Sequence, residues 1–177
     1  MKRFILAVII LSAFTSAQAV SFTLRLGIMG GLVDERAPDK KLGGGQLALD
    51  LKLDKVPIAF SISWEYHKKS PDAIHPYEIE GLLAVNTLYL TPVFNEKADV
   101  YLGGGIGLLD VPKVGDPDNT QRGILLDAVA GINYKAFWKI GFYVEGKYIY
   151  ASKTVNNVKV IDFSDPGFMV GISLNFD

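Results

Sequence analysis

The sequence predicts an all-β fold, an eight-stranded antiparallel up-and-down β-barrel of the transmembrane kind. Three observations lead there. The 177-residue chain is 49% hydrophobic with a mean hydropathy of +0.23, yet it has no run of the ~18 apolar residues that a membrane-spanning helix needs. Eight segments alternate apolar with small or polar residues, the period of a strand with two unlike faces. The connections between those segments are alternately short and long.

Composition narrows the function classes. The 18 Lys+Arg and 19 Asp+Glu give a formal net charge of −1, so no basic surface points to nucleic acid. With 0 Cys, disulfide scaffolds, thiolate nucleophiles and Cys-ligated metals are excluded. Ten Phe, eight Tyr and 18 Gly beside only 21% charged residues argue against disorder. The length suits one domain.

The first element, Met1 to Ala19, reads as a signal peptide. Lys2 and Arg3 form a basic start, Phe4–Phe14 an apolar stretch too short to span a bilayer, and Ala17-Gln18-Ala19 a small-residue cleavage site. Cleavage after Ala19 leaves residues 20–177 as the barrel domain and, with Lys2 and Arg3 gone, moves the formal charge from −1 to −3. The expected protein is therefore exported across the inner membrane.

The expected strands are Ser21–Gly31, Gly43–Leu53, Ile58–His67, Gly81–Pro92, Val100–Leu109, Gly123–Tyr134, Ile140–Ala151 and Gly167–Phe176. Each is long enough to cross a bilayer as a tilted strand. In the last, Phe168, Val170, Ile172, Leu174 and Phe176 share one face and Gly167, Met169, Gly171, Ser173 and Asn175 the other. The facing of Gly81–Pro92 is left open by its pattern. Short turns are expected around Asp54-Lys55, Asn95-Glu96-Lys97 and Lys135–Lys139. Longer loops are expected over Leu32–Leu42, Lys68–Glu80, Asp110–Arg122 and Ser152–Pro166, which hold most of the Pro, Asp and Lys. An even strand count puts both termini at the short-turn end.

A membrane barrel and a lipocalin-like barrel both alternate, with opposite facing. The polar face decides between them. It carries small residues such as Ser61, Ser63, Gly103, Gly105, Gly131 and Gly171 rather than dense Lys, Glu and Thr. Such a face suits the narrow interior of an eight-stranded barrel. Three cations and four carboxylates stand on it as a lumen charge network: Arg25, Asp50, Lys52, Glu65, Asp127, Glu145 and Lys147. Buried charges must pair. A turn centred near Phe137 would set Asp127 directly opposite Lys147, and Arg25 with Asp50 forms a second expected pair. The apolar face carries rings toward the strand ends: Phe22, Trp64, Tyr66, Tyr134, Trp138, Phe142, Tyr148, Tyr150, Phe168 and Phe176. Rings in that position form the aromatic girdle of a bilayer interface.

With these faces in view, the chain resembles the small eight-stranded outer-membrane barrel proteins of Gram-negative bacteria, the OmpA/OmpX-type, porin-like family. The resemblance rests on the pattern of the whole barrel domain. Its most family-like pieces are Val100-Tyr-Leu-Gly-Gly-Gly-Ile-Gly-Leu108, Ala130-Gly-Ile-Asn-Tyr134 and Gly167–Phe176. It implies outer-membrane lipid and lipopolysaccharide as surroundings, and uptake by the barrel-assembly machinery through the C-terminal strand. In the family that strand ends on an aromatic residue; here Asp177 follows Phe176. The expected protein is a monomer with a nearly filled lumen, acting through its outer loops or in envelope integrity. A narrow pore for ions or very small solutes is the first alternative, and a lipid-modifying enzyme the second.

Chemistry-bearing motifs are sparse. His67 and His75 are the two imidazoles; Ser70 and Asp72 lie near them without the spacing of an acyl-transfer site. Gly43-Gly44-Gly45 and Gly103-Gly104-Gly105-Ile106-Gly107 lack the Gly-Lys-Ser/Thr of a phosphate loop. Asp116-Pro117-Asp118-Asn119 lacks the glycine and distal Glu of a calcium loop. Lys40-Lys41 and Lys68-Lys69 fall on the expected outer loops, where solvated lysines are the usual case and contact with lipopolysaccharide phosphates is the alternative. No enzymatic activity, no cofactor and no metal is expected.

Overall fold

The computed structural model describes residues 20–33, 41–53, 56–68, 78–113 and 116–176. The signal peptide, His75, Lys40, Lys69, Ser70, Asp72 and the Asp54-Lys55 turn lie outside the described residues. The eight strands are β1 Val20–Val33, β2 Lys41–Leu53, β3 Ile58–Lys68, β4 Glu78–Val93, β5 Ala98–Lys113, β6 Asp116–Phe137, β7 Ile140–Val155 and β8 Val158–Phe176. Each pairs antiparallel with its sequence neighbours, and β1 also pairs with β8 through Phe22↔Phe176 to Gly30↔Phe168. The sheet is a closed barrel with no free edge.

Two of the four expected long loops are largely strand. β6 begins at Asp116 and β8 at Val158, well before Gly123 and Gly167. Pro112 pairs with Thr120, and Ser152 with Asp162. The β7–β8 hairpin turns on Asn156-Asn157, both left-handed at φ 49° and 63°. That is the backbone of a two-residue hairpin turn, which Asn tolerates better than other non-glycine residues. At the opposite end, the β4–β5 turn spans 94–97, with Phe94, Asn95 and Glu96 at positive φ, and the β6–β7 turn is Trp138-Lys139.

Side chains alternate in and out along each strand. On β7, Gly141, Tyr143, Glu145, Lys147, Ile149 and Ala151 are buried, while Phe142, Val144, Tyr148 and Tyr150 are exposed. The open question of β4 resolves: Leu82, Ala84, Asn86, Leu88 and Leu90 point inward, and Leu83, Val85 and Tyr89 outward. Exposed large apolar side chains occur on every strand, among them Leu26, Leu47, Ile62, Val85, Leu102, Leu126, Val144 and Ile172. The outside of the barrel is therefore a continuous apolar belt.

Two tyrosines let the wall stay thin at glycine. Tyr143 pairs with Gly171, which pairs with Gly27 on β1. A Cβ on Gly27 would fall on the Tyr143 hydroxyl, so the ring lies across both glycines from within. Tyr101 covers its partner Gly131 in the same way, with Cζ 2.6 Å from where a Cβ would sit.

Candidate functional site: a filled and layered lumen

The strands tilt, so groups at one height sit on successive diagonals of the sheet rather than in one hydrogen-bonded pair. That stagger gathers six of the seven expected lumen charges into two adjoining clusters, and leaves Lys52 apart, beside Asp99.

The first is built around Arg25 of β1. Its Nη1 donates to Glu145 Oε2 at 2.5 Å and to the Tyr101 hydroxyl at 2.9 Å. Its Nη2 donates to Asp50 Oδ1 at 3.0 Å and to Ser61 Oγ at 3.3 Å, while Nε lies 2.8 Å from Asp50 Oδ2. Tyr101 in turn donates to Glu145 Oε2 at 2.8 Å. The guanidinium stands 5.3 Å from the Tyr101 ring centroid and 5.1 Å from that of Tyr143. The expected Arg25–Asp50 pair is present, but diagonally, since Arg25 registers with Ala48 and Asp50 with Thr23.

The second cluster is built around Glu65 of β3. Lys147 of β7 donates to Glu65 Oε1 across the lumen. Gln46 and Ser63 donate to the same oxygen at 3.3 and 3.4 Å, and His67 Nε2 lies 3.3 Å from Oε2. Asp127 sits 3.5 Å from Lys147 Nζ and accepts from Asn86 Nδ2 at 2.8 Å. Tyr143 joins the clusters, donating to Gln46 Oε1 at 2.7 Å. Direct opposition of Asp127 and Lys147 is corrected. Asp127 registers with Ile149 and Lys147 with Val129, because β6 runs on to Phe137 before a turn at Trp138-Lys139. The later turn slides the register by two residues, and the contact becomes diagonal.

Toward the short-turn end the lumen is lined mostly by uncharged polar groups. Ser173 donates to Asn133 Oδ1 at 2.6 Å, and Asn133 to Asn175 Oδ1 at 3.0 Å. Thr23 donates to Asn175 Oδ1 at 3.1 Å. Lys52 lies 3.6 Å from Asp99. Asp99 is an inward carboxylate that the sequence reading missed, although it shares the parity of Gly103 and Gly105 on β5. Asp99 precedes the expected strand Val100–Leu109, whereas Tyr101, Asn86 and Gln46 are uncharged and carry no signal that separates them from the rest of their face.

Toward the long-loop end the lumen changes character. Met29, Leu82, Leu109, Val111, Leu125, Ile149, Ala151, Ile161 and Met169 form one buried apolar cluster above the charges. Here the expected face of mainly small residues and charges gives way to large apolar side chains. Outward residues change too: on β5 and β6, beyond Leu108 and Ile124, come Asp110 and Arg122. Arg122 holds Asp110 through Nε and Nη2 at 2.8 and 2.9 Å. That hydrogen-bonded guanidinium keeps the Asp110 carboxyl below its ordinary pKa. At this end the barrel is apolar inside and polar outside, the facing of a soluble barrel. Along most of its height it is the reverse.

The space left beside Arg25, Gln46, Asn86, Glu145 and Lys147 totals about 180 Å3, in gaps too small for a water-sized sphere. At this level the side chains of the network fill the lumen. The expected girdle residues all lie outside the barrel or in its turns. Trp64, Tyr66, Tyr148, Tyr150 and Phe168 stand toward the long-loop end. Tyr134, Trp138, Phe142 and Phe176 stand toward the short turns, where Phe176 stacks on Phe22 with centroids 4.5 Å apart. Asp116, Pro117 and Asp118 lie within β6, not in a chelating loop. Among the described residues no group of three His, Asp or Glu is placed to hold a metal ion.

No protein-family model matches the chain, and no curated protein sequence matches it. Solved structures do. Neisserial surface protein A (NspA) superposes with a TM-score of 0.71 at 13% identity, covering 90% of this chain and 100% of that one. The N-terminal β-barrel domain of Pseudomonas aeruginosa OprF gives 0.57 at 12%, covering 90% and 98%. Ail, the attachment invasion locus protein of Yersinia pestis, solved with the heparin analogue sucrose octasulfate, gives 0.53 at 16%, covering 89% and 99%. At such identities the likeness is one of fold: the chain has the closed eight-stranded barrel of these outer-membrane proteins.

Proposed function

We propose that the protein is an integral outer-membrane barrel whose lumen is closed to solutes, and that it works through the surface projecting at its long-loop end and by adding a rigid unit to the envelope. The observation that carries the reading is the layered lumen: a dry charge network beneath an apolar cluster, inside a belt of exposed Leu, Ile, Val and aromatic side chains. An apolar belt of that extent is too large for a surface in water and matches the hydrocarbon of a bilayer. Export by the signal peptide puts the short turns and termini in the periplasm. The aromatic-ended β8 is the feature the assembly machinery would take up, and outer-leaflet lipopolysaccharide surrounds the long-loop end. The closed sheet needs no second copy, which favours a monomer.

The reading without catalysis is supported by His67. Its ring is fully buried inside the lumen against Glu65, turned away from any lipid ester on the outside. Lipid A mass spectrometry from cells with and without the protein tests this point, with unchanged acyl chains expected. The narrow-pore alternative is decided by conductance, since a continuous ion path requires the apolar cluster to part.

A further inference from the structure

Apart from the lumen, the barrel carries one feature that the proposed function does not use: the rim at the short-turn end. The rings of Trp138, Phe137 and Phe94 are 82%, 77% and 70% exposed, the most open large apolar side chains of the described residues. Trp138 and Phe94 are held there by left-handed backbone, at φ 51° and 53°, a conformation that costs non-glycine residues energy. The two turns are tied to their neighbours. Lys135 N donates to Lys97 O at 2.7 Å, and Asn175 donates to Lys139 O through both its backbone N (2.7 Å) and its Nδ2 (3.2 Å). The Lys139 ammonium lies 5.0 Å from the Phe176 ring centroid and 5.6 Å from that of Trp138. Among the described residues it has no carboxylate partner. A cation is therefore pinned between two rings at the lower edge of the apolar belt, where hydrocarbon gives way to headgroups.

We propose that Lys139, with Trp138 and Phe176, forms a binding site for the phosphate of an anionic phospholipid in the periplasmic leaflet. The rings lie at the depth of the glycerol and upper acyl chain, and the ammonium meets the phosphodiester just outside them. Charge complementarity selects the anionic headgroup. One interfacial lysine enriches an anionic lipid about fivefold. The inference rests on the membrane reading above.

The two tryptophans allow a test on the full refolded barrel. A Trp64→Phe variant leaves Trp138 as the sole reporter; a Trp138→Phe variant leaves Trp64, toward the other end. Each is placed in phosphatidylcholine vesicles with an equal small fraction of brominated phosphatidylglycerol or brominated phosphatidylcholine. Trp138 is expected to be quenched several-fold more by the brominated phosphatidylglycerol, with the preference lost in Lys139→Gln and reduced by salt, while Trp64 shows none. Equal quenching of Trp138 by both lipids, or a preference that survives Lys139→Gln, overturns the site. Quenching of neither tryptophan by either lipid overturns the membrane reading itself.

Discussion

Lys147 illustrates how the lumen is held at the scale of single residues. Its ammonium lies among Glu65, Asp127 and the remaining network, with no water-sized gap beside it. Removing it leaves two carboxylates facing each other in a dry interior, so Lys147→Ala should destabilise the barrel by ~3 kcal/mol or more. Combining Lys147→Met with Glu65→Gln removes both charges and should cost less than the sum of the single changes. Urea unfolding in detergent of the single and double variants measures the coupling, and additive losses would show that the two do not interact. At the outer rim Asp110 gives a pH signature. Its carboxyl is held low by Arg122, so the contact is complete at neutral pH, survives below the ordinary carboxylate range, and is lost as pH falls through the lowered value. An NMR titration of Asp110 should show the depressed midpoint, moving back toward normal in high salt or in Arg122→Gln. The parity of the charged lumen residues was legible in the sequence, because alternation fixes facing. Their partners were not. Glu65 and Lys147 are 82 residues apart, and only the stagger of the closed sheet brings them together.

The strands show a similar division between what local pattern reveals and what closure decides. The stretches inside the apolar belt stand out because their two faces differ sharply. The extensions of β6, β7 and β8 beyond the belt do not, since Pro, Asp and Lys interrupt them. Their one clear local signal is Asn156-Asn157, flanked by Val155 and Val158, which the eye set on loop composition passes over. Both Asn residues are left-handed. Replacing the pair by Ala-Ala should cost about 1–2 kcal/mol per residue, whereas Asn157→Gly should be neutral or stabilising. Thermal unfolding of the variants checks this, and an undamaged Ala-Ala hairpin would contradict the turn. The apolar cluster inside the long-loop end explains why lipocalin-like and membrane facing compete in the sequence: this barrel contains both, one stacked on the other.

The whole molecule combines an apolar belt between two sets of rings, an interior packed with charged, polar and apolar side chains, and a hairpin-bearing end beyond the belt. The topology makes a direct prediction. A cysteine at Asn157 should react with an impermeant maleimide on intact cells, and one at Glu96 should not; the reversed pattern would turn the barrel over. Architecture was readable because period and segment length agreed within the belt, although β7 and β8 proved to be joined by the two residues Asn156-Asn157 rather than by a long loop. The packing of the lumen was not, because whether inward residues merely line it or fill it depends on how eight tilted strands interdigitate.

Single-channel recording of the refolded protein in a planar bilayer distinguishes a membrane-spanning barrel with a closed lumen from a pore. Insertion is verified on the same preparation by faster gel migration unheated than boiled. The account predicts a current indistinguishable from that of the bare bilayer for the wild-type protein, with leak appearing only when the seal is opened, as by replacing Leu109 and Leu125 together with Ser. Stable, uniform conductance steps from the inserted wild-type barrel would contradict it and establish the pore.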